Sequence, residues 1–322
     1  MVDAGINKTN IVCLGGGIGT VNLLNGLKEY TKDITVIVSM ADDGGSAGRL
    51  RRLYNIIPVG DLVSCMAAMS KETDLIPNFL RYRFTGERYG RDNELGGHKL
   101  GNLIMVALKD LMGSYESAIS EFKKLFQVEG EFLPATEEHV TISARTVDGK
   151  EIFGEEKIDL GKYKGKRGLE RVYLHPENAK AAPGVLSAIE NAKTIILGPG
   201  DLYTNLLPVI VVPEIAEALK KSTAKKIFII NVANKPFETK GYKAHDFASA
   251  IKRHIGEFPF DVVLVNNNTA NPIPKEYHYD YVQTVEDPIF DTAKVIKTDL
   301  INTDFPLYHD SSKLAKVVSE LI

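Results

Sequence analysis

The sequence has little cysteine: Cys13 and Cys65 are the only two in 322 residues. Two such residues build no disulfide framework, and no Cys-x-x-Cys pair offers a redox or zinc motif. Cys13 sits in an apolar run and is expected to pack as a small hydrophobe. A reducing compartment fits this usage. Long apolar runs are also lacking; nothing approaches the roughly 18 residues of a membrane-spanning helix. The opening stretch, MVDAGINKTN, is polar and lacks the charged-then-apolar layout of a signal peptide. The expected location is the cytoplasm, with no membrane span. Nor does one sign of charge prevail: the net charge is −3, which argues against a protein dominated by non-specific nucleic-acid binding. HExxH, GxSxG and the kinase signature set are absent. The histidines are scattered, which argues against a histidine-built metal site.

What is present reads as an α/β protein. Residues 10–14 form a short β-branched run, then glycines, then Val21, Leu23, Leu24 and Leu27 at helical spacing. Residues 34–40 read as a second buried strand, completing a βαβ unit. From 58 to 112 the pattern is mostly helical, and another helix is expected over 115–126. The middle changes character: 140–147 and 151–158 are rich in β-branched residues and flank Asp148-Gly149, a strong hairpin signal. The charged stretch 162–171 reads as a surface loop. Strands at 194–197, 227–231 and 261–266 then alternate with helices at 212–222 and 245–254, and 311–322 closes the chain. This predicts a Rossmann-like, doubly wound, mostly parallel sheet. The chain is expected to be one domain, 1–322, with a small antiparallel β-hairpin insertion at about 136–172.

Five loops at the ends of expected strands or helices carry the chemistry. Gly15, Gly16, Gly17, Gly19 and Thr20 follow the first strand, where glycines let a backbone approach phosphate at a helix N-terminus. The spacing is neither the dinucleotide fingerprint nor a P-loop, which makes a nicotinamide oxidoreductase the least favoured class. Asp42, Asp43, Gly44, Gly45 and Arg49 follow the second strand. The acids are candidates for ribose contacts or for holding Mg²⁺, and Arg49 for clamping a phosphate. The acids also suit a helix N-cap and first turn. In Gly96-Gly97-His98-Lys99, His98 is the best histidine for a catalytic or phosphate-contacting role, with Asn102 one turn on. A capping loop histidine fits equally. Gly198, Gly200, Leu202, Tyr203 and Thr204 follow another strand with a rigid Gly-Pro-Gly turn, and Asn231 ends the next. As catalytic candidates the residues nominate Asp42, Asp43 and His98.

The ordered set GGGIGT, ADDGGSAGRLRR, GGHKLGNL, GPGDLYTN and NVANKPFET resembles the gluconeogenesis-factor (YvcK-like) family over residues 10 to about 267. That family belongs to the superfamily of CofD, the 2-phospho-L-lactate transferase. The resemblance implies a Rossmann-like core and a UDP-sugar site of the UDP-N-acetylglucosamine type. It further implies a regulatory role in cell shape and in carbon metabolism on gluconeogenic substrates, and a homodimer. The CofD branch implies the alternative, an enzyme transferring phospholactate from a nucleoside-diphosphate carrier with Mg²⁺. Carried over by motif, Gly15 to Thr20 hold phosphates. Asp42 and Asp43 sit at the nucleotide or acceptor, His98 and Asn102 line the cleft, and Gly198 to Thr204 close it. Ala47, Lys99 and Asp201 stand where the family pattern usually has serine, and Asn234-Lys235-Pro236-Phe237 replaces a Thr-Gln-Pro-Gly run.

Overall fold

The computed structural model describes residues 9–72, 74–163 and 168–322. Most of the polar opening stretch, and 164–167 of the charged segment, lie outside the described residues. In chain order the strands are β1 (Ile11–Gly15), β2 (Ile34–Val38), β3 (Glu131–Pro134), β4 (Thr141–Thr146), β5 (Glu151–Phe153) and β6 (Leu169–His175). They continue as β7 (Thr194–Leu197), β8 (Lys225–Ile229), β9 (Ala233–Asn234), β10 (Val262–Asn266), β11 (Asp280–Tyr281) and β12 (Lys294–Thr298). The helices of the first half are α1 (Gly17–Leu27), α2 (Gly45–Tyr54), α3 (Gly60–Ala68), α4 (Leu75–Arg81), α5 (Leu100–Met112), α6 (Tyr115–Leu125) and α7 (Glu155–Asp159). Those of the second are α8 (Val185–Asn191), α9 (Leu207–Ile210), α10 (Pro213–Lys221), α11 (Ala244–Ile255) and α12 (Ser311–Ser319).

The main sheet has seven strands in the order β3-β2-β1-β7-β8-β10-β12, and every pair in it is parallel. Its central strands are apolar along their whole length because helices cover both faces: all of β1, β7 and β10 is buried. The chain works outward from β1 through β2 to β3, then returns to β7 on the other side. The strand order therefore reverses between β1 and β7, and in such sheets the crevice beyond that point is the ligand site. Both edge strands, β3 and β12, went unread in the sequence. β3 is four residues ending in Pro134, a residue tolerated at a sheet edge. β12 carries Lys294 and Lys297 and is only half buried.

The insertion is larger than a hairpin. β4 and β5 pair as expected around Asp148-Gly149, and β6 adds on the other side of β4 to make three antiparallel strands. The charged stretch read as a surface loop thus runs into β6 at Leu169, and Glu170 pairs with Arg145 of β4 on the open face. Residues expected to extend the second strand instead form α7. Buried Ile142, Ile152, Ile158 and Leu174 join the same apolar cluster as the main sheet. No single helix among the described residues is long and apolar enough to cross a membrane.

Candidate functional site

Three strand-end loops meet at the point of reversal. Thr20 Oγ1 accepts the Gly16 N–H at 2.9 Å and donates to the Pro199 carbonyl at 3.3 Å, tying the loop after β1 to the loop after β7. A Cβ on Gly19 would lie 2.5 Å from the Pro199 oxygen, so glycine is what lets the two backbones touch. Asn231, just beyond β8, accepts the Gly200 N–H at 2.9 Å. The floor so formed opens into a cleft of about 1150 Å³. Of the residues singled out in the sequence, Gly16, Gly17, Gly19, Asp42, Gly44, Gly200, Thr204 and Asn231 line it.

The two aspartates after β2 part ways. Asp42 faces the cleft, accepts the Gly44 N–H at 2.9 Å, and has its pKa pushed up to about 7 by burial first and by the charge of Asp61 second. Asp43 turns to the insertion. Its carboxylate accepts the N–H groups of Glu155 (3.0 Å) and Glu156 (2.8 Å) and the Thr141 hydroxyl (3.3 Å), capping α7. The acid beside Asp42 is thus Asp61, in the first turn of α3. Asp61 takes the Gly17 N–H and the Asn205 amide (3.2 Å), and burial raises its pKa. Glu155 joins this group, raised well above the usual carboxylate range by burial and then by Asp42.

The remaining expected residues stand behind the lining. Arg49 is buried at 1% exposure and points away from the cleft, into the loop between Gly86 and Gly97. His98 is buried against Ser46, Nδ1 to Oγ 2.9 Å. Burial, with Arg49 nearby, lowers its pKa, so the ring is neutral at pH 7. Asn102 donates to the same Ser46 oxygen at 3.3 Å. Leu202 and Tyr203 belong to a π-helical turn at Leu202–Leu206, the Tyr203 hydroxyl bonding the Leu169 carbonyl and Tyr242. Gly15, Gly45 and Gly198 shape the loops from behind the cleft surface.

The arginines of the cleft escaped the sequence, in which Lys99, Asp201 and Lys235 stand out only as departures from the family pattern. One wall carries Arg81, Arg83, Arg88 and Lys99, and among the described residues none of these forms a salt bridge. Burial lowers the pKa of Lys99, opposed by Asp61. The cluster Arg81, Arg83, Arg88 just ahead of Gly96-Gly97 was the available signal. Another cation of the lining, Lys235, is over-neutralised. Lys235 Nζ meets Asp201 at 2.7 Å, Glu238 at 3.1 Å, and Asp159 as well. Burial works against the Lys235 charge, yet these carboxylates hold its pKa well above the usual lysine range. Glu238 is itself buried and accepts the Tyr203 N–H at 2.9 Å and the Thr204 hydroxyl at 2.7 Å. Asp159 comes from α7, so this cluster pins the insertion to the sheet.

Comparison with known proteins agrees with this architecture. Residues 11–305 match the family of 2-phospho-L-lactate transferase CofD. The gluconeogenesis factor of Bacillus subtilis is 37% identical over 322 residues, spanning 98% of each chain. A putative gluconeogenesis factor of Aquifex aeolicus is 37% identical over 328 residues with the same coverage. A crystal structure of a Bacillus halodurans protein superposes with a TM-score of 0.88 at 35% identity, covering 97% of this chain and 99% of that one. A second, described as a member of the UPF0052 family, gives a TM-score of 0.87 at 34% identity and covers 98% of this chain and 99% of that one.

Proposed function

The chain belongs to the CofD family and its relatives are named gluconeogenesis factors; we propose that within this family the protein is a nucleotide-sugar-binding regulator. The observation that carries this reading is the charge layout. Four cations that form no salt bridge among the described residues, though Asp61 lies near enough to act on Lys99 and Asp42 to feel Arg88, stand beside a glycine floor at the point of strand-order reversal. Unpaired cations in a concave, partly desolvated wall favour a multiply charged anion, and the diphosphate of a UDP-sugar such as UDP-N-acetylglucosamine fits that demand. The cleft volume of about 1150 Å³ leaves room for base and sugar besides the diphosphate. The same reading makes the protein a cytoplasmic homodimer that ties carbon metabolism and cell shape to nucleotide-sugar supply on gluconeogenic substrates. His98 stands behind the lining, hydrogen-bonded to Ser46.

The Asp42–Asp61 neighbourhood favours a second reading, a CofD-like transfer of phospholactate. Two buried carboxylates, both raised by burial and one of them further by the other, suit a hard divalent cation with oxygen ligands. Asp42 and Asp61, rather than Asp42 and Asp43, would hold Mg²⁺, because Asp43 is engaged in capping α7. Bound there, Mg²⁺ would neutralise charge on a diphosphate donor. A thermal-shift panel of UDP-N-acetylglucosamine, UDP-glucose, GDP, GTP and NAD, each with and without Mg²⁺, separates the readings. A ligand at ~100 times its Kd adds about 2.7 kcal/mol of stability. A selective shift with UDP-sugars is expected. A shift with GDP plus Mg²⁺ alone points to the transferase, and no shift with any nucleotide refutes both.

A further inference from the structure

We propose that the loop from Gly86 to Gly97 is a preformed anion clamp, in which Arg88 contacts the ligand's phosphates and Arg49 is the positioning residue that holds Arg88 in place. The proposal rests on reading the cleft as a phosphate site. It begins with the cost of Arg49. A guanidinium at 1% exposure is expensive to desolvate, and an apolar side chain would fill the space without that cost. Among the described residues this guanidinium forms no salt bridge, and Asp92, which feels its charge, is held by Arg52 instead. Nη1 donates to the carbonyls of Glu87 (3.2 Å) and Gly96 (2.8 Å), and Nη2 to those of Arg91 and Glu94. Four carbonyls of an irregular loop, which no strand or helix could satisfy, thus converge on one rigid donor fork.

The rest of the loop is equally constrained. Arg52, one turn after Arg49 on α2, grips Asp92 with two nitrogens at 2.8 and 3.0 Å. The loop's ends are zipped by Gly97 N–H to the Phe84 carbonyl (2.9 Å) and Phe84 N–H to the His98 carbonyl (3.0 Å). A Cβ on Gly97 would sit 2.2 Å from the Glu87 oxygen, so the loop closes on itself backbone to backbone. The product of this rigidity is the placement of Arg88. Its stem lies against Gly45, where a Cβ would be 2.7 Å from Nε. Its guanidinium lies over Tyr89 at 5.4 Å from the ring centroid, and its charge is felt by Asp42. Arg88 makes no salt bridge among the described residues, and the fork is left for a ligand.

The test is calorimetric titration of the full chain with two probes, inorganic pyrophosphate and UDP-N-acetylglucosamine, at fixed ionic strength. Arg88→Ala should weaken pyrophosphate binding roughly tenfold or more, the loss of one charge-assisted contact, with the unliganded melting temperature unchanged. Arg49→Lys keeps the charge and loses the fork. It should weaken pyrophosphate in the wild-type background and not in the Arg88→Ala background, because positioning counts only when there is something to position. If Arg49→Lys unfolds the protein, Asp92→Asn serves instead: it frees the same loop from Arg52 and should show the same dependence on Arg88. Undiminished pyrophosphate binding by Arg88→Ala, or losses that multiply in the double variant, overturns the clamp. Wild-type binding of pyrophosphate but not of the UDP-sugar overturns the nucleotide-sugar reading and leaves the clamp standing. Binding of neither probe overturns both.

Discussion

Replacing Asp42 by Asn should make the protein more stable, by an amount that grows from about pH 4 and is full above about pH 7. In the folded chain the Asp42 pKa rises from the ordinary 3.8 to about 7, through burial first and Asp61 second, against the opposing Gly44 N–H and Arg88. Between those two values the folded state holds a proton that the unfolded chain has released. Stability therefore falls as pH rises through this window, and the penalty is complete above about pH 7. A rise of this size corresponds to roughly 4 kcal/mol at most. Asp42 keeps some contact with solvent at the cleft, so about 2 kcal/mol is the working figure after screening. Asn retains an oxygen for the Gly44 N–H and removes the charge. Urea unfolding of wild type and Asp42→Asn at pH 4.5 and pH 8 measures the difference. The variant should gain about 2 kcal/mol at pH 8 and only about 0.5 kcal/mol at pH 4.5. Curves that stay parallel from pH 4.5 to 8 would show that Asp42 ionises freely in the folded protein and would refute the reasoning.

Two further outcomes are expected. Lys235→Met leaves Asp159, Asp201 and the buried Glu238 without their shared cation, and urea unfolding at pH 8 should show a loss of about 3–5 kcal/mol; a loss below ~1 kcal/mol would mean that the cluster is solvated. Gly19→Ala drives a Cβ to 2.5 Å from the Pro199 carbonyl. It should cost about 1–3 kcal/mol and abolish the nucleotide-induced thermal shift, and an unchanged shift would show that the contact between the two loops is dispensable for binding.

The sheet was legible wherever strands are buried on both faces. In β1, β7 and β10 burial of every residue forces an unbroken apolar run, which composition alone reveals. Legibility failed at the edges for the same physical reason. β12 needs only partial burial and keeps its lysines, and β3 tolerates Pro134 because no further strand pairs beyond it. β6 was hidden by Glu170 and Arg171, whose charges belong to the open face of the insertion, where Glu170 meets Arg145. A strand with one solvated face and a short span looks like a loop until its partner is known.

The site was legible as a place rather than as a set of contacts. The glycine loops and their common position at strand ends predicted where the crevice lies. Which side chains enter it depends on long-range partners that no local spacing encodes. Asp43 is drawn off by α7, more than a hundred residues on in the chain, and Arg49 by the carbonyls of the Gly86–Gly97 loop. Even the glycines carry a second meaning. A Cβ on Gly16 would meet Asp61 at 2.8 Å, and one on Gly17 would meet Asn205 at 2.9 Å, so their smallness is required by packing whether or not a phosphate ever binds there. A glycine pattern therefore cannot by itself separate a tight turn from an anion seat. What separates them is the distribution of countercharge. Lys235 has three carboxylates around one ammonium, while Arg81, Arg83, Arg88 and Lys99 face the same cleft with none in salt-bridge range among the described residues. Such an imbalance across one cleft, with the cations left for an anion, exists only once the chain has folded.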